Sequence, residues 1–137
     1  MTAETDNGAG IGLEHARRLF RGSPHGALIG LELVELGDDH LIARVPYRPE
    51  LVGNPETGHI HGGVITTLID QSCGAAVLMA TGPAERIVTL DLRVDHLRPA
   101  AGEVAFARAV AYEDDPAEPF ATSMSAFMRL REGVGRG

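Results

Sequence analysis

His59-Ile60-His61-Gly62-Gly63-Val64-Ile65-Thr66-Thr67-Leu68-Ile69-Asp70-Gln71-Ser72-Cys73-Gly74-Ala75-Ala76-Val77-Leu78-Met79-Ala80 decides the fold. From Val64 onward, Val64, Ile65, Leu68, Ile69, Cys73, Ala76, Val77 and Ala80 recur at helical spacing. The apolar stripe is wide, so the helix is expected to be buried on most sides. Two features do not serve burial. A glycine pair opens the helix, where free backbone N–H groups and the dipole favour an approaching negative charge. An acid, Asp70, stands mid-helix, where a carboxylate is costly unless compensated.

Before this helix, Gly12 to Arg21 places Leu13, Ala16, Leu19 and Phe20 at helical spacing, a short amphipathic helix ending near Gly22-Ser23-Pro24. Ala27 to Val45 reads as two strands about the turn-rich Gly37-Asp38-Asp39-His40, with Leu31, Leu33, Leu41, Ala43 and Val45 facing inward. Pro46 to Gly58 reads as a long loop. After the stop at Thr81-Gly82-Pro83, Ile87 to Leu97 alternates, with Val88, Leu90, Leu92 and Val94 on one face and Thr89, Asp91, Arg93 and Asp95 on the other. Arg98 to Gly102 makes a turn. A strand from Val104 to Tyr112 follows, with the alanines 105, 107, 109 and 111 on one face. An acidic loop, Glu113 to Glu118, leads to a last strand, Phe120 to Leu130. One buried helix among strands predicts an α+β domain, an antiparallel sheet wrapped around one long central helix. That single domain is expected over residues 12–131, between flexible tails at 1–11 and 132–137.

With 137 residues, 44% of them apolar, the chain has material for one core. It holds no run of about 18 apolar residues, so no membrane span is expected, and the polar first ten residues carry no signal core. A cytoplasmic protein is the plain expectation. Cys73 is the single cysteine, which excludes an intramolecular disulfide. All twelve basic residues are arginine, so Schiff-base lysine chemistry and a P-loop are excluded. A net charge of −7 argues against general nucleic-acid binding.

Asn54, His61-Gly62-Gly63, Asp70, Thr89-Leu90-Asp91-Leu92, Leu97-Arg98-Pro99-Ala100 and Gly102, in that order, resemble the hotdog-fold acyl-CoA thioesterases, in particular those of phenylacetate-degradation type. The resemblance runs from about Gly26 to Leu130. It implies hydrolysis of an acyl-CoA, aryl or short to medium in chain, to free acid and coenzyme A, with no cofactor or metal. It assigns the thioester carbonyl to the Gly62 N–H, the role of base or nucleophile to Asp70, a loop contribution to Asn54, and water positioning to Thr89. The interval from Asn54 to Gly62 is a residue longer than the resemblance leads one to expect.

The residues point the same way unaided. Thioester hydrolysis needs oxyanion donors and a base or nucleophile. Gly62 and Gly63 can offer the first and Asp70 the second, but a helix rise of 1.5 Å per residue separates Gly62 from Asp70 by roughly 12 Å. A reacting carbon must lie within about 3–3.5 Å of its nucleophile. Two antiparallel copies of the helix would bring Asp70 of one chain to Gly62 of the other. An obligate homodimer with two shared sites is therefore expected, and dimers pairing into a homotetramer beyond it.

Each residue also has a plainer reading. The glycines suit a close-packed helix start, Asp70 a hydrogen-bonded structural acid, Asn54 a loop former, and Thr89 a strand former. His59 and His61 form an H-x-H pair without a third ligand at a convincing spacing, which argues against zinc; His61 is instead expected to orient the loop or the thioester. Cys73 reads as core. Arg98, with Arg93, Arg129 and Arg131, is a candidate for coenzyme A phosphates or a solvated side chain. Met79, with Leu51 and Val52, is a candidate acyl-pocket wall. The rival functions are a non-catalytic acyl-CoA-binding hotdog protein and a hotdog enoyl-CoA hydratase or dehydratase.

Overall fold

The computed structural model describes residues 12–81, 88–89, 91–96, 98–100, 104–111 and 124–131. Expectations for the two tails, the Gly82-Pro83 stop, the turn at Gly102 and the acidic loop fall outside them.

Helix α1, Leu13–Gly22, buries Ala16 and Phe20, one turn apart on the same face. The sequence reading ended the helical region there and began a strand, but a second helix, α2, Pro24–Ile29, intervenes. Its start signals are those read as a terminator: Ser23 Oγ accepts the Gly26 N–H at 3.2 Å, and Pro24 supplies a first-turn φ. Gly30 closes it in the left-handed region at φ 77°, and Leu31 N–H donates to Gly26 carbonyl oxygen at 2.9 Å.

Strands β1, Glu32–Leu36, and β2, Leu41–Pro46, form the expected hairpin, closed by Gly37 N–H on His40 carbonyl oxygen at 2.8 Å. The expected loop after β2 is more ordered than its prolines suggested. A short 3-10 turn, Pro49–Leu51, leads into β3, Val52–Asn54, which pairs with β4, His59–Ile60. Helix α3 spans Gly62–Thr81. Strands β5, Val104–Ala111, and β6, Met124–Arg131, complete an antiparallel sheet of order β1-β2-β5-β6.

The alternation of β5 explains how the sheet receives the helix. Ala105, Ala107 and Ala109 are fully buried and register against Val45, Ala43 and Leu41 of β2, also fully buried. Methyl side chains let α3 lie close across β5, its main neighbour. Ile65, Leu68, Ile69, Cys73 and Ala76 are its buried contacts. Each fully buried Leu or Ile contributes about 1.5–3 kcal/mol. Ser72 is buried without loss, its Oγ donating to the Leu68 carbonyl one turn back. By length and composition Gly62–Met79 could cross a bilayer, which a count of consecutive apolar residues missed; half of that window is buried inside the protein, as in a core helix.

One expected strand is not paired. Among the described residues of the 87–97 stretch, 88–89 and 91–96 join no ladder. Alternation holds for the second half of that stretch, where Leu92 and Val94 pack on the core and Asp91, Arg93 and Asp95 are exposed. Val88, expected on the same inward face, is 79% exposed, and Leu90 lies outside the described residues. Side-chain alternation does not specify a hydrogen-bonding neighbour.

The alanine floor sets a size limit. Ala107→Leu should cost about 1–3 kcal/mol through overpacking against α3, lowering the midpoint of a thermal or urea unfolding transition. An unchanged midpoint would mean that helix and sheet are not in close contact there.

Candidate active site at the start of the central helix

The site begins where β4 hands the chain to α3. Ile60 N–H donates to Ala100 carbonyl oxygen at 2.9 Å and His61 N–H to Leu51 carbonyl oxygen at 2.8 Å, so the helix start is pinned from two sides. Gly53 makes the second approach possible, because a Cβ there would stand 2.9 Å from the His61 Cα. His61 then caps α3: its Nδ1 accepts the Gly63 N–H at 2.9 Å and its carbonyl oxygen accepts the Val64 N–H at 3.0 Å.

This cap separates the two glycines. The Gly63 N–H, expected among the substrate contacts, is occupied by His61, and a Cβ on Gly63 would press to 2.9 Å from that imidazole nitrogen. Gly62 keeps its N–H without an acceptor among the described residues. A Cβ there would meet His96 Cε1 at an ordinary 3.6 Å, so packing alone does not demand glycine at 62.

Gly62 borders a cleft of about 460 Å³. Its polar walls are His59, His96 and Arg98, and Ile60, Ile65, Pro99 and Ala100 complete it. Arg98 thus lines the same cleft as Gly62. His96 was not anticipated, and His59 had been weighed only as a metal ligand. The signal for both was adjacency, His59 to the glycine pair and His96 to the Leu97-Arg98-Pro99 run. No group of three metal-binding side chains occurs among the described residues.

Asp70 lies elsewhere, eight residues along α3 and absent from the cleft walls. It is half-buried, and the Thr89 hydroxyl donates to its Oδ1 at 2.6 Å. Thr89 and Asp70, given separate roles in the sequence reading, therefore meet. Burial pushes the nearby Cys73 thiol up to about 11, and the Asp70 carboxylate adds to the rise, so this cysteine is a protonated core residue.

Asn54 reaches neither group. Its Oδ1 accepts the Glu56 N–H at 3.0 Å and its carbonyl oxygen the Gly58 N–H at 2.8 Å, which forms the turn between β3 and β4. Met79 packs against the core and does not border the cleft; nor do Leu51 and Val52.

Residues 57–112 match the family described as the thioesterase superfamily. A Halobacterium salinarum protein with a provisional esterase designation is 38% identical over an alignment covering 58% of this chain and 56% of its own length. The medium/long-chain acyl-CoA thioesterase of Escherichia coli K12 is 30% identical, with 58% of this chain and 60% of that protein aligned. The chain thus spans well under two thirds of these curated relatives. A crystal structure from Pseudomonas aeruginosa is similar over almost its whole length: 34% identity, 86% of this chain and 98% of that one, at a TM-score of 0.66. With its antiparallel sheet laid over one glycine-opened helix, the chain has the hotdog fold, and its residues 57–112 are similar to the thioesterase superfamily.

Proposed function

We propose that the chain hydrolyses an acyl-CoA to the free acid and coenzyme A, as a homodimer whose two sites each take Gly62 from one subunit and Asp70 from the other. The observation that carries this reading is the division of one helix into two half-sites. Its start offers an unpaired N–H beside a cleft, while its carboxylate stands outside that cleft, about 12 Å away. Neither half completes a hydrolytic site alone. The E. coli relative's name supports the acyl-CoA class.

The chemistry follows from the groups. The thioester carbonyl oxygen accepts the Gly62 N–H, and the positive end of α3 favours the charge that develops there. Asp70 of the partner subunit takes a proton from water as the water oxygen bonds to the carbonyl carbon. Thr89, already donating to that carboxylate, fixes its orientation. Collapse of the tetrahedral intermediate breaks the C–S bond and releases coenzyme A as thiolate. Direct attack by Asp70 through an anhydride is the second route. We place the reaction in the cytoplasm.

Acyl-CoA hydrolysis followed by thiol release tests this. Asp70→Asn should lower kcat by about 10²–10⁴-fold, the usual worth of a general base. Gly62→Pro should lower it by about 10²–10³-fold, because proline at the first helical position keeps the helix but removes the donor. Tight acyl-CoA binding without turnover by the unaltered protein would replace the hydrolase with a binding protein, and enoyl-CoA hydration without thiol release with a hydratase.

The same assay makes a second prediction. With its pKa near 11, Cys73 stays protonated through pH 8, below the folded value. A disulfide reagent should leave the native protein unlabelled and its activity intact, and label one thiol per chain after denaturation. Fast native labelling with loss of activity would point to a cysteine nucleophile.

A further inference from the structure

We infer that the cleft beside Gly62 is an anion subsite for the acyl group, and that the preferred substrates are acyl-CoAs whose acyl chain ends in a carboxylate. The inference rests on the hydrolase reading above and names its substrate class.

Three basic side chains, His59, His96 and Arg98, line this cleft, and among the described residues no acidic one does. None of the three side chains has a hydrogen-bond or ion-pair partner among the described residues. Elsewhere Arg17 pairs with Glu14, Arg44 with Glu32, His40 with Glu35 and Arg93 with Asp95, while Arg18, Arg21, His15 and His25 are unpaired among the described residues. What distinguishes these three is that they line one cleft. Of the three, His96 stands beside Gly62, its Cε1 3.6 Å from where a Cβ there would lie, and His59 and Arg98 line the same cleft.

Distance decides which anion fits. A roughly equidimensional space of 460 Å³ is about 10 Å across. The first phosphate of coenzyme A is separated from its sulfur by an arm as long as about four extended residues, or ~13 Å. A carbonyl seated on Gly62 therefore puts those phosphates beyond the cleft, and the arm's nearer amides are neutral. A carboxylate four or five carbons along the acyl chain falls within it. Arg98 can take that carboxylate through two parallel N–H groups, with an imidazole N–H as further donor. Ile60, Ile65, Pro99 and Ala100 suit the intervening methylenes.

The test compares matched pairs, adipyl-CoA with hexanoyl-CoA and glutaryl-CoA with pentanoyl-CoA, by thiol release. The unaltered protein should favour each carboxylated substrate at least tenfold in kcat/KM. Arg98→Met, and separately His96→Gln, should each reduce that ratio, Arg98→Met by tenfold or more. Equal or faster turnover of the neutral substrates overturns the inference and leaves the hydrolase standing. So does a ratio that survives both substitutions. A proportional rise in KM for every substrate in Arg98→Met also overturns it, by giving the arginine to the coenzyme. Absence of thiol release from all four substrates removes the hydrolase reading, and the inference with it.

Discussion

The structure depends on the rigidity of one helix. α3 holds Gly62 at its first position and Asp70 two turns on, and the i to i+4 hydrogen bonds between them fix their separation. The protein cannot bring these two groups together by bending, because Leu68 and Ile65 are buried in the core along that span. Whatever unites the donor with the carboxylate must therefore come from another element or another chain.

The rest of the fold serves that helix. The alanine face of β5 lets the sheet approach closely, and β1 and β2 extend the floor with Leu33, Leu41, Ala43 and Val45. The small β3–β4 hairpin does separate work. Through Gly53 and the Leu51 carbonyl it grips His61, and His61 in turn satisfies the Gly63 N–H. That leaves Gly62 as the donor facing the cleft. The histidine of the His-Gly-Gly run thus acts on the site by deciding which of two glycines is free.

Much of this was legible in the sequence. The helical repeat of Val64 to Ala80, the hairpin about Gly37 to His40 and the alanines of β5 each follow from local periodicity, and each appears in the structure. The resemblance gave Asp70 and Thr89 each a role, but nineteen residues separate them and their direct hydrogen bond came only with the structure. Three features were not legible. The helix at Pro24–Ile29 was hidden because a cap and a proline mark a helix start as readily as a stop. The local role of Asn54 was left open because an asparagine that shapes a turn and one that meets a substrate look alike in sequence; the structure shows it shaping the turn. His96 joined the cleft through the path of an unpaired segment, which alternation alone does not fix.

The central claim is that each site is shared, and mixing two inactive variants tests it most directly. Asp70→Asn and Gly62→Pro, each inactive alone, are combined, exchanged through mild denaturation, refolded and assayed. If sites are shared in a two-fold dimer, half of the randomly formed dimers carry one intact site, and about a quarter of the unaltered activity returns. If donor and carboxylate serve one site within a single chain, or the molecule sediments as a lone subunit, no activity returns, and the account is contradicted.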